Sequence, residues 1–334
     1  MSSKLALLLA CIAIGACSDR GPETRIVSVM PAFWSVMDPK SPADTRAARF
    51  QQSVIAAQPG LYGPVIPLGA DFSYEQYVGE QLAPLLPTMR EVDAHMRPQI
   101  DAGLVQLRER VGDVGGLTIY IAPSLFSSNG QVRVVDDRPV VMFGVDVQAY
   151  AELELLPAAS RYDMRAYIAH ELLHAFHYGV NPEMRHAANT LFDEKSPAPL
   201  YLNLWIEGLA TCVSMSMDGD GSVERALMSD RLPAELPPVL PALARELVVK
   251  LDSRSLVDTR DLFWLGGERS DIPPRSAYGI GALVAEDVLA RRGLAAAMRL
   301  SGAELRREVG TALARLAQRP AAVDWSAACH SIES

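Results

Sequence analysis

The sequence predicts an α+β fold, and three observations lead to it. Strand signals crowd into one stretch, 117–147, where β-branched and aromatic residues sit between turn residues. Beyond it, apolar residues recur at helical spacing almost to the C-terminus. The chain has 334 residues, 49% of them hydrophobic and 21% charged, enough to bury a full core and unlike a disordered composition. A formal net charge of −9 disfavours nucleic acid as a partner, because phosphate recognition needs a basic surface.

The elements follow in order. Lys4 and an apolar run from Leu5 to Ile14 open the chain, and the run is too short to span a bilayer as a stable helix. It ends in Ile14-Gly15-Ala16-Cys17, which resembles the lipobox of bacterial lipoprotein signal peptides. The resemblance implies a signal peptide over 1–16, a lipid on the Cys17 thiol, and an exported protein anchored to a bacterial membrane, facing the periplasm or the cell surface. An ordinary secretory signal cleaved nearby is the alternative, and it exports the protein too. Residues 17–45, rich in Pro, Ser, Asp and Arg, read as a tether, leaving 46–334 as the folded domain. Cys212 and Cys329 then sit in a compartment where disulfides persist. Whether they pair stays open, since the sequence does not supply their Cα separation.

Helical stretches are expected near Asp44–Ala57 and Tyr74–Val111, the second interrupted at Pro84, Pro87 and Pro98. Leu117–Ile121, Gln131–Val135 and Val140–Val147 are the expected strands, with Ser127-Ser128-Asn129-Gly130 as turn chemistry. Val140–Val147 reads as a sheet edge on which an extended peptide can lie by strand addition. Further helices are expected over Ser160–Tyr178 with Gly179 as its stop, then Leu202–Met217, Pro241–Leu251, Ser276–Arg292 and Gly302–Gln318. Asp218-Gly219-Asp220-Gly221 lacks the offsets of a calcium loop and reads as a turn.

His170-Glu171-Leu172-Leu173-His174 is an H-E-x-x-H motif on a predicted helix. Residues four apart are offset by about 40° and one turn of rise, so both imidazoles face one point. That suits Zn²⁺, with Glu171 beside the first ligand as the general base of a metal-assisted hydrolysis. A third ligand is still needed. His177 lies one turn beyond His174, but three ligands along one straight helix converge poorly on a tetrahedral ion, so His177 reads as supporting a ligand or lining the cleft. Asp193 and Glu194 are rivals, though Ser196-Pro197-Ala198-Pro199 places them in a loop. Glu207 interrupts the apolar helix residues Leu204, Ile206, Leu209 and Ala210, where a lone carboxylate is costly to bury unless paired or metal-bound.

The segment Trp205-Ile206-Glu207-Gly208-Leu209-Ala210 resembles the W-x-x-E-G-x-A region of gluzincins, with one residue fewer between Trp and Glu. Together with the H-E-x-x-H helix, the wider resemblance is to bacterial predicted zinc-dependent proteases, over about Leu117 to Leu289. It implies Glu207 as the third zinc ligand and a Gly208 that lets the ligand helix approach the motif helix. It also implies a zincin-like architecture, with a small N-terminal sheet, the active-site helix and a mainly helical C-terminal subdomain. A longer insert between the two motifs departs from the best-studied gluzincins and leaves substrate preference untransferred. By the same resemblance, Tyr278 in Ala277-Tyr278-Gly279-Ile280-Gly281 donates a hydrogen bond to the oxyanion as a second catalytic residue. Thr211 is expected to support a ligand with its hydroxyl. The implied function is a zinc-dependent peptidase acting on peptide or protein substrates. Two alternatives stand beside it: a zinc-stabilised binding lipoprotein without turnover, and an amidase acting on cell-wall material. An intact Glu171 argues against the first, since a structural metal needs no base.

Overall fold

The computed structural model describes residues 23–113, 115–190, 197–218 and 222–330. The signal peptide, Cys17, the rival ligands Asp193 and Glu194, and the glycines of the 218–221 turn lie outside the described residues. The fold is α+β: one four-stranded sheet, with helices making up most of the rest.

Strand β1 (Arg25–Ser28) comes from the stretch expected to be tether, and it pairs in parallel with β2 (Thr118–Ala122), Ile26 opposite Ile119. It leads into α1 (Met30–Val36), which buries Met30, Phe33 and Val36. The tether reading is therefore corrected from Arg25 onward. A four-residue strand and a two-turn helix are too short to print a hydrophobic period, so composition dominated the reading. The stretch expected as helix over Asp44–Ala57 consists of short helical pieces, Ala43–Thr45, Arg46–Phe50 and Gln51–Ile55.

Helix α2 (Leu86–Val111) runs unbroken through Pro98. An interior proline costs about 3 kcal/mol, and the buried stripe Met89, Val92, Met96, Ile100, Leu104 and Leu107 offsets it. Strands β3 (Gly130–Val135) and β4 (Arg138–Gly144) form a hairpin. Asp136 and Asp137 turn it with φ values of 49° and 60°, the pair of left-handed residues that a two-residue hairpin turn needs.

The strand order is β1-β2-β4-β3, so β4 is interior and β3 is the edge. The expectation that Val140–Val147 forms a sheet edge is overturned on both counts. Val140 to Gly144 are buried, as in strands covered on both faces. From Val145 the chain is already helix α3 (Val145–Glu154).

Helix α4 (Arg165–Val180) carries the H-E-x-x-H motif. It stops at Asn181, not Gly179: Asn181 is extended ahead of Pro182, and its side chain accepts from the N–H groups of Glu183 and Met184 to start the next turn. Then follow α5 (Leu200–Asp218), α6 (Leu232–Val249), α7 (Ser276–Arg292) and α8 (Gly302–Leu316). Helix α4 packs on β3, β4 and α2, and on α5; α5 in turn packs against α7. Cys212 of α5 is bridged to Cys329, with the Cα atoms 5.3 Å apart. Among the described residues, no helix is long and apolar enough to cross a membrane.

Candidate metal centre

One face of α4 presents Tyr167, His170, Glu171, His174 and Tyr178 to a cleft of about 400 Å³, as the three- and four-residue spacing requires. Across it, α5 brings Glu207. His174 Nε2 lies 3.0 Å from His170 Nε2, and Glu207 Oε2 lies 3.3 Å from His170 Nε2 and 3.7 Å from His174 Nε2. A tetrahedral ion with ligands at about 2.0–2.1 Å separates neighbouring donor atoms by about 3.3 Å. The triangle fits such an ion. His170, His174 and Glu207 are the one group among the described residues whose donors meet closely enough to hold a metal.

Charge is already arranged for a cation. Burial works to raise the Glu207 carboxyl, but His174 and His170 override it and hold it well below the usual carboxylate range. Burial lowers the His170 imidazole. It also works against a charged His174, where Glu207 and Glu171 prevail and the pKa is raised. Thr211 Oγ1 donates to the Glu207 carbonyl at 2.8 Å and sits 3.5 Å from His170 Nδ1. A proton on Nδ1 can lean on that oxygen, which leaves Nε2 free as a ligand atom.

Glu171 lines the cleft without joining the three donors. Burial foremost pushes its carboxyl up to about 7, with Glu207 adding and His174, Arg133 and Arg275 opposing. Its carboxyl group lies against Gly130 of β3, where a Cβ would come within 2.5 Å of it. Tyr278 also lines the cleft, its ring centroid 6.1 Å from that of His170. Burial foremost raises its pKa, and the Glu207 carboxylate adds to the rise.

Two expectations need correction. His177 neither joins the metal group nor lines the cleft. Tyr178 continues the cleft face instead, while His177 is buried beside the Met298 backbone, its pKa lowered to about 3 by burial and by His174. Gly208 does bring helices together, but the partner is α7: a Cβ on Gly208 would overlap the Gly281 backbone, not the motif helix.

Other cleft residues escaped the sequence reading: Tyr167, Tyr178, Gly130, Arg133, Arg275 and Trp264. Helical spacing from His170 and His174 could have found the two tyrosines. The rest depend on the register of β3 and the path of the chain before α7, which no local pattern encodes. The loop entering β3 holds Leu125 and Phe126 at φ values of 58° and 55°. Buried Asp146 ties it down, accepting from Ser124 N–H at 2.7 Å, Phe126 N–H at 2.9 Å and the Tyr77 hydroxyl at 2.7 Å. On the open side of β3, the Asn189 amide pairs with the N–H and C=O of Val134 at 3.0 and 2.9 Å. Alternation along the strand gives Gly130 and Val132 the same outward backbone direction.

Comparison with protein-family models, with curated proteins and with solved structures gives no match.

Proposed function

We propose that this chain is a zinc-dependent peptidase of the gluzincin type, exported as a lipoprotein through Cys17, with His170, His174 and Glu207 as the metal ligands. One observation carries the reading. A fourth side chain, Glu171, shares the cleft with the three donors but stays out of their triangle, with its pKa raised to about 7. A purely structural metal has no use for such a group. Two imidazoles and one carboxylate also suit zinc better than a hard, oxygen-preferring cation.

Zinc, when bound, supplies a Lewis acid for the scissile carbonyl and acidifies water. Glu171 takes the proton of the attacking water and delivers it to the leaving amine, and a pKa near neutrality serves both transfers. Tyr278, with its phenol beside Glu207, is the donor for the developing oxyanion. The outward N–H groups of Gly130 and Val132, whose carbonyls already accept from Ser128 and Arg133, hold an extended peptide along this edge, the role first read for the following strand. The layering supports a zincin-like description: sheet and α4 on one side of the cleft, α5 and α7 on the other.

Metal analysis and peptide hydrolysis test the reading together. The Glu171→Gln variant should keep its zinc and lose casein hydrolysis by about 10²–10⁴-fold, whereas His170→Ala, His174→Ala and Glu207→Ala should lose the metal. Unchanged hydrolysis in Glu171→Gln removes the base assignment. A wild-type protein that holds zinc and cleaves no peptide is a binding lipoprotein instead.

A further inference from the structure

Arg275 stands out among the cleft residues for three reasons that the catalytic scheme does not use. First, it is held in a left-handed conformation, φ 62° and ψ 20°, at the residue that opens α7. Glycine or asparagine is the usual occupant of such a position. Second, its guanidinium is stacked over the Tyr278 ring, Cζ 4.1 Å from the centroid, which fixes it on the wall of the cleft. Third, no carboxylate lies within ion-pair distance of it among the described residues, and its buried Nε has no hydrogen-bond partner.

The second cleft arginine makes the contrast. Arg133 is tied to protein acceptors, with contacts of 3.4 Å to the carbonyls of Val132 and Ala188. Of the nearby acids, Glu207 is committed to the ring nitrogens, and Glu171 packs against Gly130 without an ion pair to Arg275. A fixed, partly desolvated guanidinium with its donors unspent is complementary to a carboxylate, which it can meet with two parallel N–H bonds. The Tyr278 ring lies 6.1 Å from the His170 ring. Taken with the stacking distance, Arg275 lies no more than about three extended residues from the metal ligands. Trp264 and Met228 line the same cleft and offer apolar surface to a neighbouring side chain.

We propose that Arg275 is the recognition group for a carboxylate of the peptide substrate, close to the scissile bond. The carboxylate is either the free C-terminus of a short peptide or an acidic side chain within a longer one. This inference rests on the peptidase reading for the placing of the bond, but its test does not depend on turnover.

Equilibrium binding to the zinc-loaded Glu171→Gln protein gives that test, with zinc content measured on the same samples. The probes are N-acetyl-Ala-Ala-Phe as the free acid, the same peptide as its C-terminal amide, and N-acetyl-Ala-Glu-Phe amide. At least one carboxylate-bearing probe should bind about tenfold or more tightly than the neutral amide. Preference for the free acid assigns the C-terminus, and preference for the Glu peptide assigns a side chain. Adding Arg275→Gly, which suits the left-handed backbone, should erase the preference, and Arg275→Lys should restore part of it. Equal binding of all three probes, or a preference that survives Arg275→Gly, overturns the proposal even when zinc is retained. Absence of zinc from the Glu171→Gln and wild-type proteins alike overturns the peptidase reading instead.

Discussion

Glu171 and Gly130 show how a single atom can set the chemistry of the cleft. The carboxyl group occupies the space that any Cβ at position 130 would need. Gly130→Ala should therefore push Glu171 out of line and lower kcat at least tenfold, a loss of about 1.4 kcal/mol in transition-state stabilisation, with zinc content unchanged. Loss of zinc in that variant would mean that the strand, and not the base, had moved. His177 offers a prediction in pH. Its folded pKa is about 3, against about 6.5 when unfolded. The unfolded chain takes up a proton that the folded chain refuses, so the residue is neutral to stability above about pH 6.5 and destabilises as pH falls towards 3. At pH 4 the effect is about 3 kcal/mol. His177→Gln should lose correspondingly less stability than wild type between pH 7 and pH 4 in denaturant titrations. Parallel losses would show that the ring is protonated without penalty.

Among the elements, the pair α5 and α7 decides where Glu207 stands. Gly208 and Gly281 face each other, and each would strike the other's backbone if it carried a Cβ. Backbone cannot step aside as a side chain can, so Gly208→Ala must spread the two helices. The expected loss is about 1–3 kcal/mol of stability. Zinc affinity should fall as well, because Glu207 is the adjacent residue and Tyr278 rides on α7. Isothermal titration with zinc measures the second effect, and an unchanged affinity would separate the helix contact from the metal site. The disulfide from Cys212 to Cys329 fastens the same helix to the C-terminal segment. At the sheet, β3 owes its edge position to the order β1-β2-β4-β3, and Asn189 covers its far end at Val134. The rest of that edge faces the cleft.

For the molecule as a whole, the candidate metal joins two layers. His170 and His174 belong to the helix under the sheet, and Glu207 to the helical half. An ion bound by all three stabilises only the folded state, so adding zinc should raise the melting temperature. At free zinc about a thousandfold above its dissociation constant, the gain is about 4 kcal/mol. Chelation should reverse it, and the His170→Ala variant should not respond. A wild-type melting curve indifferent to zinc and chelator would remove the metal from the molecule.

The sequence by itself determined the α+β class, the helix bearing His170, Glu171 and His174, and Glu207 as the carboxylate that an apolar helix could not bury unaided. Those features are local, written in a repeat of three to four residues or in a short β-branched run, and a period survives without knowledge of neighbours. Tertiary structure decided what depends on two segments meeting. It put β1 and α1 inside the fold, made β3 the edge, turned His177 away from the cleft and set Gly208 against α7. It also joined Cys212 to Cys329 and brought Gly130 and Arg275 to the cleft that holds Glu171. None of these leaves a local trace, because a side chain's partner across the chain is fixed by packing and strand register, and one position of slip in either would choose a different partner.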